Sequence, residues 1–341
     1  MSPAARFRLV GLAAGLVVAS LIPSAHAQAV KARPKAQAKK AEAKAQARAA
    51  RPYAVEPTHA NVPYGEHERQ VLDFFKAESD GPAPLVVYIH GGGWNGGDKK
   101  PFADLKKLLD AGVSVATINY RLVPQARAAG VEPPVKWPLE DAARAVQFLR
   151  SKAGEWNIDK DRVGATGGSA GACSSLWLAF HDDMADPDST DPIARESTRL
   201  AAVAVNGAQT TLDPKITREW IPNMKYGGHA FGFDAGGGKT QFENFHDGRE
   251  SVAEWVEEYS PLSHVTRDDP PVFLNYPAQD KPPVKGEEQK DPTHSALLGL
   301  ILEEKLKAEG VESHLAYPGA PDDHFQTPAD FLITRLKSAK P

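Results

Sequence analysis

Gly167-Gly168-Ser169-Ala170-Gly171 decides how the rest of the chain is read. Arg162-Val163-Gly164-Ala165-Thr166 runs into it, short and partly apolar in the manner of a buried strand. Ala172 to Phe180 runs out of it, small residues and then bulky ones at helical spacing. A strand that turns sharply into a helix with Gly-x-Ser-x-Gly at the turn is a nucleophile elbow. The outer glycines have a physical reason: strand and helix pass too closely there to leave room for side chains, and the serine takes a strained backbone conformation. The pentapeptide alone also arises by chance at the start of small-residue helices. The flanking strand and helix favour a nucleophile at Ser169.

Outward from the elbow, strand and helix patterns alternate. Val71 to Lys76 reads as an early strand, and Leu85-Val86-Val87-Tyr88-Ile89 is a continuous apolar run suited to a parallel strand buried on both faces. His90-Gly91-Gly92-Gly93-Trp94 leaves that run, and three glycines after a buried strand let backbone amides approach a ligand closely. Neither phosphate-loop spacing, GxGxxG nor GxxxxGK[ST], is present there. Phe102 to Ala111 reads as a helix stopped by Gly112, and Val113 to Asn119 as a strand. Trp137-Pro138 opens an amphipathic helix, near whose start Asp141 is expected to be structural. Leu200 to Asn206, Pro270 to Tyr276 and Val311 to Tyr317 read as further strands, with helices over Thr293 to Glu309 and about Pro328 to Leu336. The expected architecture is a mostly parallel central sheet with helices on both faces. Between about 211 and 260 the regularity gives way to scattered aromatics and glycines. That insertion near the C-terminal strand edge is expected to be a lid or specificity loop.

The first 51 residues differ in kind. Arg6 and Arg8 precede an apolar run from Leu9 to Ile22, closed by Pro23-Ser24-Ala25-His26-Ala27. This pattern predicts a cleaved signal peptide over residues 1–27, with an apolar run short of the ~20 residues a membrane span needs. A periplasmic or secreted location follows, with no stable membrane anchor after cleavage. Residues 28–51 are rich in Ala and Lys, carrying eight basic residues against Glu42, and predict a disordered linker acting as a solvated tether. The chain holds 40 basic and 44 acidic residues, and ten basic and one acidic fall in this leading stretch. The body, 52–341, therefore keeps 30 basic against 43 acidic, a formal charge of −13. Such a surface argues against nucleic acid as partner, because phosphate binding needs clustered Lys and Arg. The single cysteine, Cys173, excludes an intrachain disulfide, and no Cys/His cluster has zinc spacing.

Ser169, Asp280 and His324 fall in loops that leave strand C-termini, where crevices form in an open parallel sheet. A serine hydroxyl needs an imidazole to take its proton and a carboxylate to orient that imidazole. Asp291 competes with Asp280 for the acid. His294 and His314 are alternatives to His324 and are read as structural, the first beginning a helix and the second lying within a strand.

HGGGW followed by GDK, NYRL, WPLEDA, the NIDKDRVGATGGSAG block and a late His-Phe resemble the hormone-sensitive-lipase-like esterases. Within that α/β-hydrolase superfamily the chain is similar to the bacterial carboxylesterase branch with feruloyl- and acetyl-xylan-esterase-like enzymes. The resemblance runs from about Tyr64 to Phe331, strongest as far as Leu178. It implies an α/β-hydrolase fold, Ser169 as nucleophile, His324 as general base with Asp280 behind it, and an oxyanion hole from the amides of Gly92, Gly93 and Ala170. His90 would brace the glycine loop. Trp94, Trp220, Phe231 and Phe233 are the aromatic candidates for substrate binding. Two departures stand out: Asp323 replaces the usual glycine before the histidine, and Tyr276 to Pro283 replaces the common glycine-containing acid turn, with an additional polar stretch from Lys285 to Lys290.

The expected activity is hydrolysis of short-chain acyl or aryl carboxylic esters, on small molecules or on polysaccharide, by a serine triad without metal or cofactor. A serine peptidase of the same fold is one alternative. A binding protein on a catalytically retired hydrolase scaffold is the other.

Overall fold

The computed structural model describes residues 53, 55–100 and 102–338, all within one compact unit, Ala45–Pro341. The expected signal peptide, 1–27, and linker, 28–51, lie outside the described residues. Eight strands form one sheet: β1 (His59–Pro63), β2 (Val71–Phe75), β3 (Ala83–Ile89), β4 (Ser114–Ile118), β5 (Ile158–Gly168), β6 (Ala202–Asn206), β7 (Val272–Asn275) and β8 (Ser313–Ala316). Their spatial order is β1-β2-β4-β3-β5-β6-β7-β8. The first two pairings, β1 with β2 and β2 with β4, are antiparallel, and all later ones are parallel. This is the α/β-hydrolase fold that the sequence implies, with β1 and a short helix at Val123–Ala128 added to the expected elements.

Alternation along the central strands builds two cores. Leu85, Val87 and Ile89 of β3, Val163 and Ala165 of β5, Val203 and Val205 of β6, and Val272 and Leu274 of β7 face one side. There they meet the helices Lys136–Ser151, Ala170–Phe180 and Ala296–Glu309. Val86, Ala202, Ala204 and Phe273 face the other side, against helices Leu105–Asp110 and Pro328–Lys337. Both faces are covered, so the strands carry continuous apolar runs in place of an apolar-polar alternation. Gly164 lies under the closing helix: a Cβ on it would come within 3.1 Å of Leu332 and Leu336.

One polar contact is built into the core. Asp73 on β2 and Lys99 are both buried and 2.6 Å apart. Tyr53 Oη donates to the same carboxylate, the Asn61 amide donates to its other oxygen, and the Lys99 ammonium also donates to Asn61 Oδ1. Asp141 is structural as expected: it is buried, accepts from the Arg121 amide and guanidinium and from Gln70, and ties the helix to the end of β4.

Where β5 turns into helix Ala170–Phe180 beside the end of β3, the backbone is as tight as the elbow requires. An added Cβ at Gly167 would sit 2.5 Å from the Ile89 carbonyl oxygen, and one at Gly171 only 2.1 Å from that same atom. Gly168 has room: its nearest neighbour would be the Asn206 carbonyl oxygen at 3.8 Å. Ser169 between them has φ 56°, a left-handed conformation that side chains disfavour.

Two stability outcomes follow. Gly171→Ala should lower unfolding free energy by roughly 1–3 kcal/mol through backbone collision, whereas Gly168→Ala should stay within about 0.5 kcal/mol of wild type. Asp73→Ala, which strands the Lys99 ammonium in the core, should cost about 3–5 kcal/mol. Urea denaturation read by circular dichroism measures all three, and equal effects of the two glycine changes would contradict the geometry of the elbow.

Candidate active site

Ser169 caps the N-terminus of helix Ala170–Phe180, directly after β5. Its amide donates to the Asn206 carbonyl at 3.0 Å, and its carbonyl accepts from Cys173 in the first helical turn. The Ala170 amide lies in that first turn, where an α-helix has no internal acceptor for it.

His294 Nε2 lies 2.9 Å from Ser169 Oγ. Its Nδ1 lies 2.8 Å from Asp291 Oδ2. Acid and base therefore come from one segment, Asp291-Pro292-Thr293-His294, whose last three residues form a single 3₁₀ turn. In such a turn side chains three residues apart stack one above the other, so the spacing itself delivers the carboxylate to the imidazole. The ring rests over Gly207, φ +58°, where a Cβ would be 3.4 Å from His294 Cβ and Cδ2. Buried Gln209 fastens the turn from below by donating to the Thr293 carbonyl at 2.7 Å.

The structure does not bring the expected acid and base, Asp280 and His324, to Ser169; it brings Asp291 and His294 there. His324 is exposed and stands edge-on to His314, 5.7 Å between ring centroids, with its amide bonded to Asp322. His314 itself lies between Asp322 and Glu312 on the far side of β8's end. Asp280 is also exposed, with Lys290 at 3.7 Å as its ion partner. The cause is local. After β7 the chain turns so that Gln279 points inward, accepting from the Ala296 amide and donating to the Lys281 carbonyl, and its neighbour Asp280 points outward. The polar stretch after it supplies the length to return Asp291 to Ser169. A signal for the pair that meets Ser169 stands in the sequence as Asp-Pro-x-His, with proline at the start of a turn and three-residue spacing.

The glycine loop lies against the elbow. A Cβ on Gly91 would be 3.4 Å from Ser169 Cβ and 2.4 Å from the Gly168 carbonyl oxygen. Gly92, Gly93 and Trp94 run with φ of 118°, 61° and 55°. Their carbonyls are tied away: His90 Nδ1 to Gly91 O at 2.8 Å, the Asn95 amide to Gly92 O at 3.1 Å, and the Val123 amide to Trp94 O at 2.8 Å. Because N–H and C=O point oppositely across a trans peptide, holding Gly91 O and Gly92 O directs the Gly92 and Gly93 amides the other way. His90 is the brace expected of it, buried, stacked on Tyr120 at 4.2 Å and faced by the Arg69 guanidinium.

The aromatic candidates fare differently. Trp94 is fully buried and its indole N–H donates to Ser174 Oγ. Trp220 packs with Ile221, Met224 and Phe242 in a small core of its own, and Phe231 stacks on Phe245 at 5.0 Å. These three are buried packing residues. Phe233 is half-buried against Phe245 and Gly248. The insertion itself is ordered into short helices at Pro214–Trp220, Gln241–Gly248 and Ala253–Glu258, with Trp220, Phe231, Phe242, Phe245 and Tyr259 buried. Among the described residues no group of three or more His, Cys, Asp or Glu could hold a metal ion, and no helix is long and apolar enough to cross a membrane.

Known proteins resemble this chain in sequence and in fold. The BD-FAE family profile matches residues 72–289, stopping short of Asp291. Esterase LipQ of Mycobacterium tuberculosis (strain ATCC 25618 / H37Rv) is 29% identical over 166 residues, 46% of this chain and 35% of LipQ. The chain spans about a third of the length of the curated relatives it matches first. A truncated form of carbohydrate esterase from gut microbiota superposes with TM-score 0.60 and 18% identity, covering 82% of this chain and 96% of that one. Thermogutta terrifontis esterase 2, phosphonylated by sarin, gives TM-score 0.56 and 20% identity over 84% and 94%. The structural likenesses are of fold; the profile, spanning more than half of the chain from β2 to the stretch after β7, carries the further conclusion that the chain belongs to the BD-FAE family.

Proposed function

We propose that this chain is a serine esterase cleaving short acyl or aryl carboxylic esters through an acyl-enzyme. One observation carries the reading: the unbroken hydrogen-bond path from Ser169 Oγ through His294 to Asp291. On that path His294 Nε2 takes the hydroxyl proton as Oγ bonds to the ester carbonyl carbon, and Asp291 holds the ring in the tautomer that can accept it. The oxyanion would be met by the amides of Gly92, Gly93 and Ala170. Collapse breaks the bond to the alcohol, which leaves with the proton from His294. Water, deprotonated by the same imidazole, then releases the acid and restores Ser169.

The esterase named in LipQ and the phosphonylated state named for the Thermogutta enzyme support this chemistry. Esters on neutral saccharide are the substrates we favour. The body's charge of −13 repels anionic polymers from a cleft that focuses the field, and a structural neighbour is titled a carbohydrate esterase. The signal-like residues 1–27 support action in the periplasm or outside the cell.

His294→Ala and Asp291→Asn should each lower kcat on an aryl acetate by roughly 10⁴-fold. His324→Ala and Asp280→Asn should stay within about twofold, as surface changes do. Ser169→Ala should lose both turnover and labelling by a fluorophosphonate probe. Large losses at His324 and Asp280 with little at His294 and Asp291 would overturn the assignment. Across an ester series from acetate to palmitate, highest kcat/KM on the shortest chains is expected, and a preference for palmitate would refute the substrate class.

A further inference from the structure

His229 sits at the second position of the 3₁₀ turn Gly228–Phe231, inside the insertion and 136 residues from the glycine loop it touches. Its Nε2 lies 2.8 Å from the Gly93 carbonyl oxygen. A carbonyl only accepts, so that nitrogen carries the proton and donates. Burial pushes the ring's pKa down to about 4, opposed by the bond to Gly93, which keeps the imidazole a neutral donor near neutral pH. The turn that presents it is rigid. Gly227, φ +115°, and Gly232, φ +82°, bound it, Phe231 is stacked beneath Phe245, and a Cβ on Gly228 would strike Gln241 at 2.9 Å. Tyr226 packs edge-on against the ring at 5.0 Å.

The bond falls where the loop most needs it. Gly92, Gly93 and Trp94 hold three successive positive φ angles, and the last belongs to a residue with a Cβ, for which left-handed backbone is strained. Such a run persists only when its surroundings over-determine it. The peptide between Gly93 and Trp94 joins the two left-handed residues, and it is held by His229 and, more loosely, by Asn95 Nδ2 at 3.1 Å. Release of that peptide would free ψ of Gly93 and loosen the strained run that holds the Gly92 and Gly93 amides in place.

We propose that His229 is a positioning residue: by donating to Gly93 O it locks the oxyanion loop, so that the insertion is required for transition-state stabilisation. This rests on the serine esterase reading. An oxyanion donor is worth about 10²–10³ in rate when removed. Loss of its alignment should therefore cost a smaller factor, roughly 10- to 100-fold, in kcat with KM held, because the interaction is made with the transition state.

The test uses the full chain and compares wild type with His229→Ala, His229→Gln and His229→Asn. Kinetics on an aryl acetate and the affinity of a trifluoromethyl ketone, which forms the tetrahedral oxyanion on Ser169, are both measured. In His229→Ala, kcat and ketone affinity should fall together by roughly 10- to 100-fold, with KM within about twofold. Glutamine, long enough to donate to Gly93 O, should recover most of both. Asparagine, too short to reach, should not, and the Gln–Asn contrast serves equally if the alanine variant fails to fold. Unchanged kcat and ketone affinity in the alanine or asparagine variant, or a loss that glutamine leaves in place, overturns the role of His229 while the esterase reading stands. Wild-type protein that neither turns over the ester nor takes a fluorophosphonate at Ser169 overturns the esterase reading, and this inference with it.

Discussion

The molecule depends on how closely one helix can lie on one strand. The Gly171 Cα passes beneath the Ile89 and His90 carbonyls, and Gly167 passes beside the Ile89 carbonyl, at separations that leave no space for a methyl group. That crossing forces the turn at Ser169 into left-handed backbone and lifts its side chain off the sheet edge. It also fixes where β3 must end, and so where the glycine loop begins. The nucleophile and the loop expected to stabilise charge are thus set by a single packing constraint, with Gly91 against Ser169 as its visible consequence. The two apolar cores above and below the sheet hold β3 and β5 in that relation.

The segment between 211 and 260 has a different part from the one its aromatic composition implies. Most of its rings pack into the core beside the sheet or against helix Ala296–Glu309, and some of its polar contacts reach the loops around Ser169. Asn223 bonds both the amide and the carbonyl of Gln289, and the Trp220 carbonyl accepts from Gly286. Both contacts steady the stretch that delivers Asp291, while His229 meets the glycine loop on the other side. A buttress needs a rigid interior, and that accounts for the aromatics without assigning them to substrate.

The parts of the fold that were legible are those written in backbone chemistry. Gly-x-Ser-x-Gly, three glycines after an apolar run, and continuous apolar strands each record a steric or burial requirement, and each lies where that reading put it. Asp141 is structural as read, but for another reason: it lies past the first turn of its helix and holds Arg121 and Gln70. The acid and base were not legible, because their placement turns on which way one residue faces. Gln279 inward implies Asp280 outward, and nothing between Tyr276 and Lys281 records that choice in residue type. The late His-Phe was read by position along the chain, whereas Phe325 is anchored in the core beneath the closing helix and keeps His324 beside His314.

Placing carboxylate and imidazole on one turn alters the cost of assembling the pair. A contact between Asp291 and His294 closes a loop three residues long, and its entropy is lost as soon as the turn forms. One distant closure is left, His294 onto Ser169 across 125 residues, and it arrives with docking of the segment between β7 and the helix Ala296–Glu309. Nothing on β8 or the closing helix contributes a side chain to the relay. The C-terminal end of the described chain can therefore loosen or drift in sequence at the expense of core burial and surface ion pairs, with the hydrogen bonds among Ser169, His294 and Asp291 left intact.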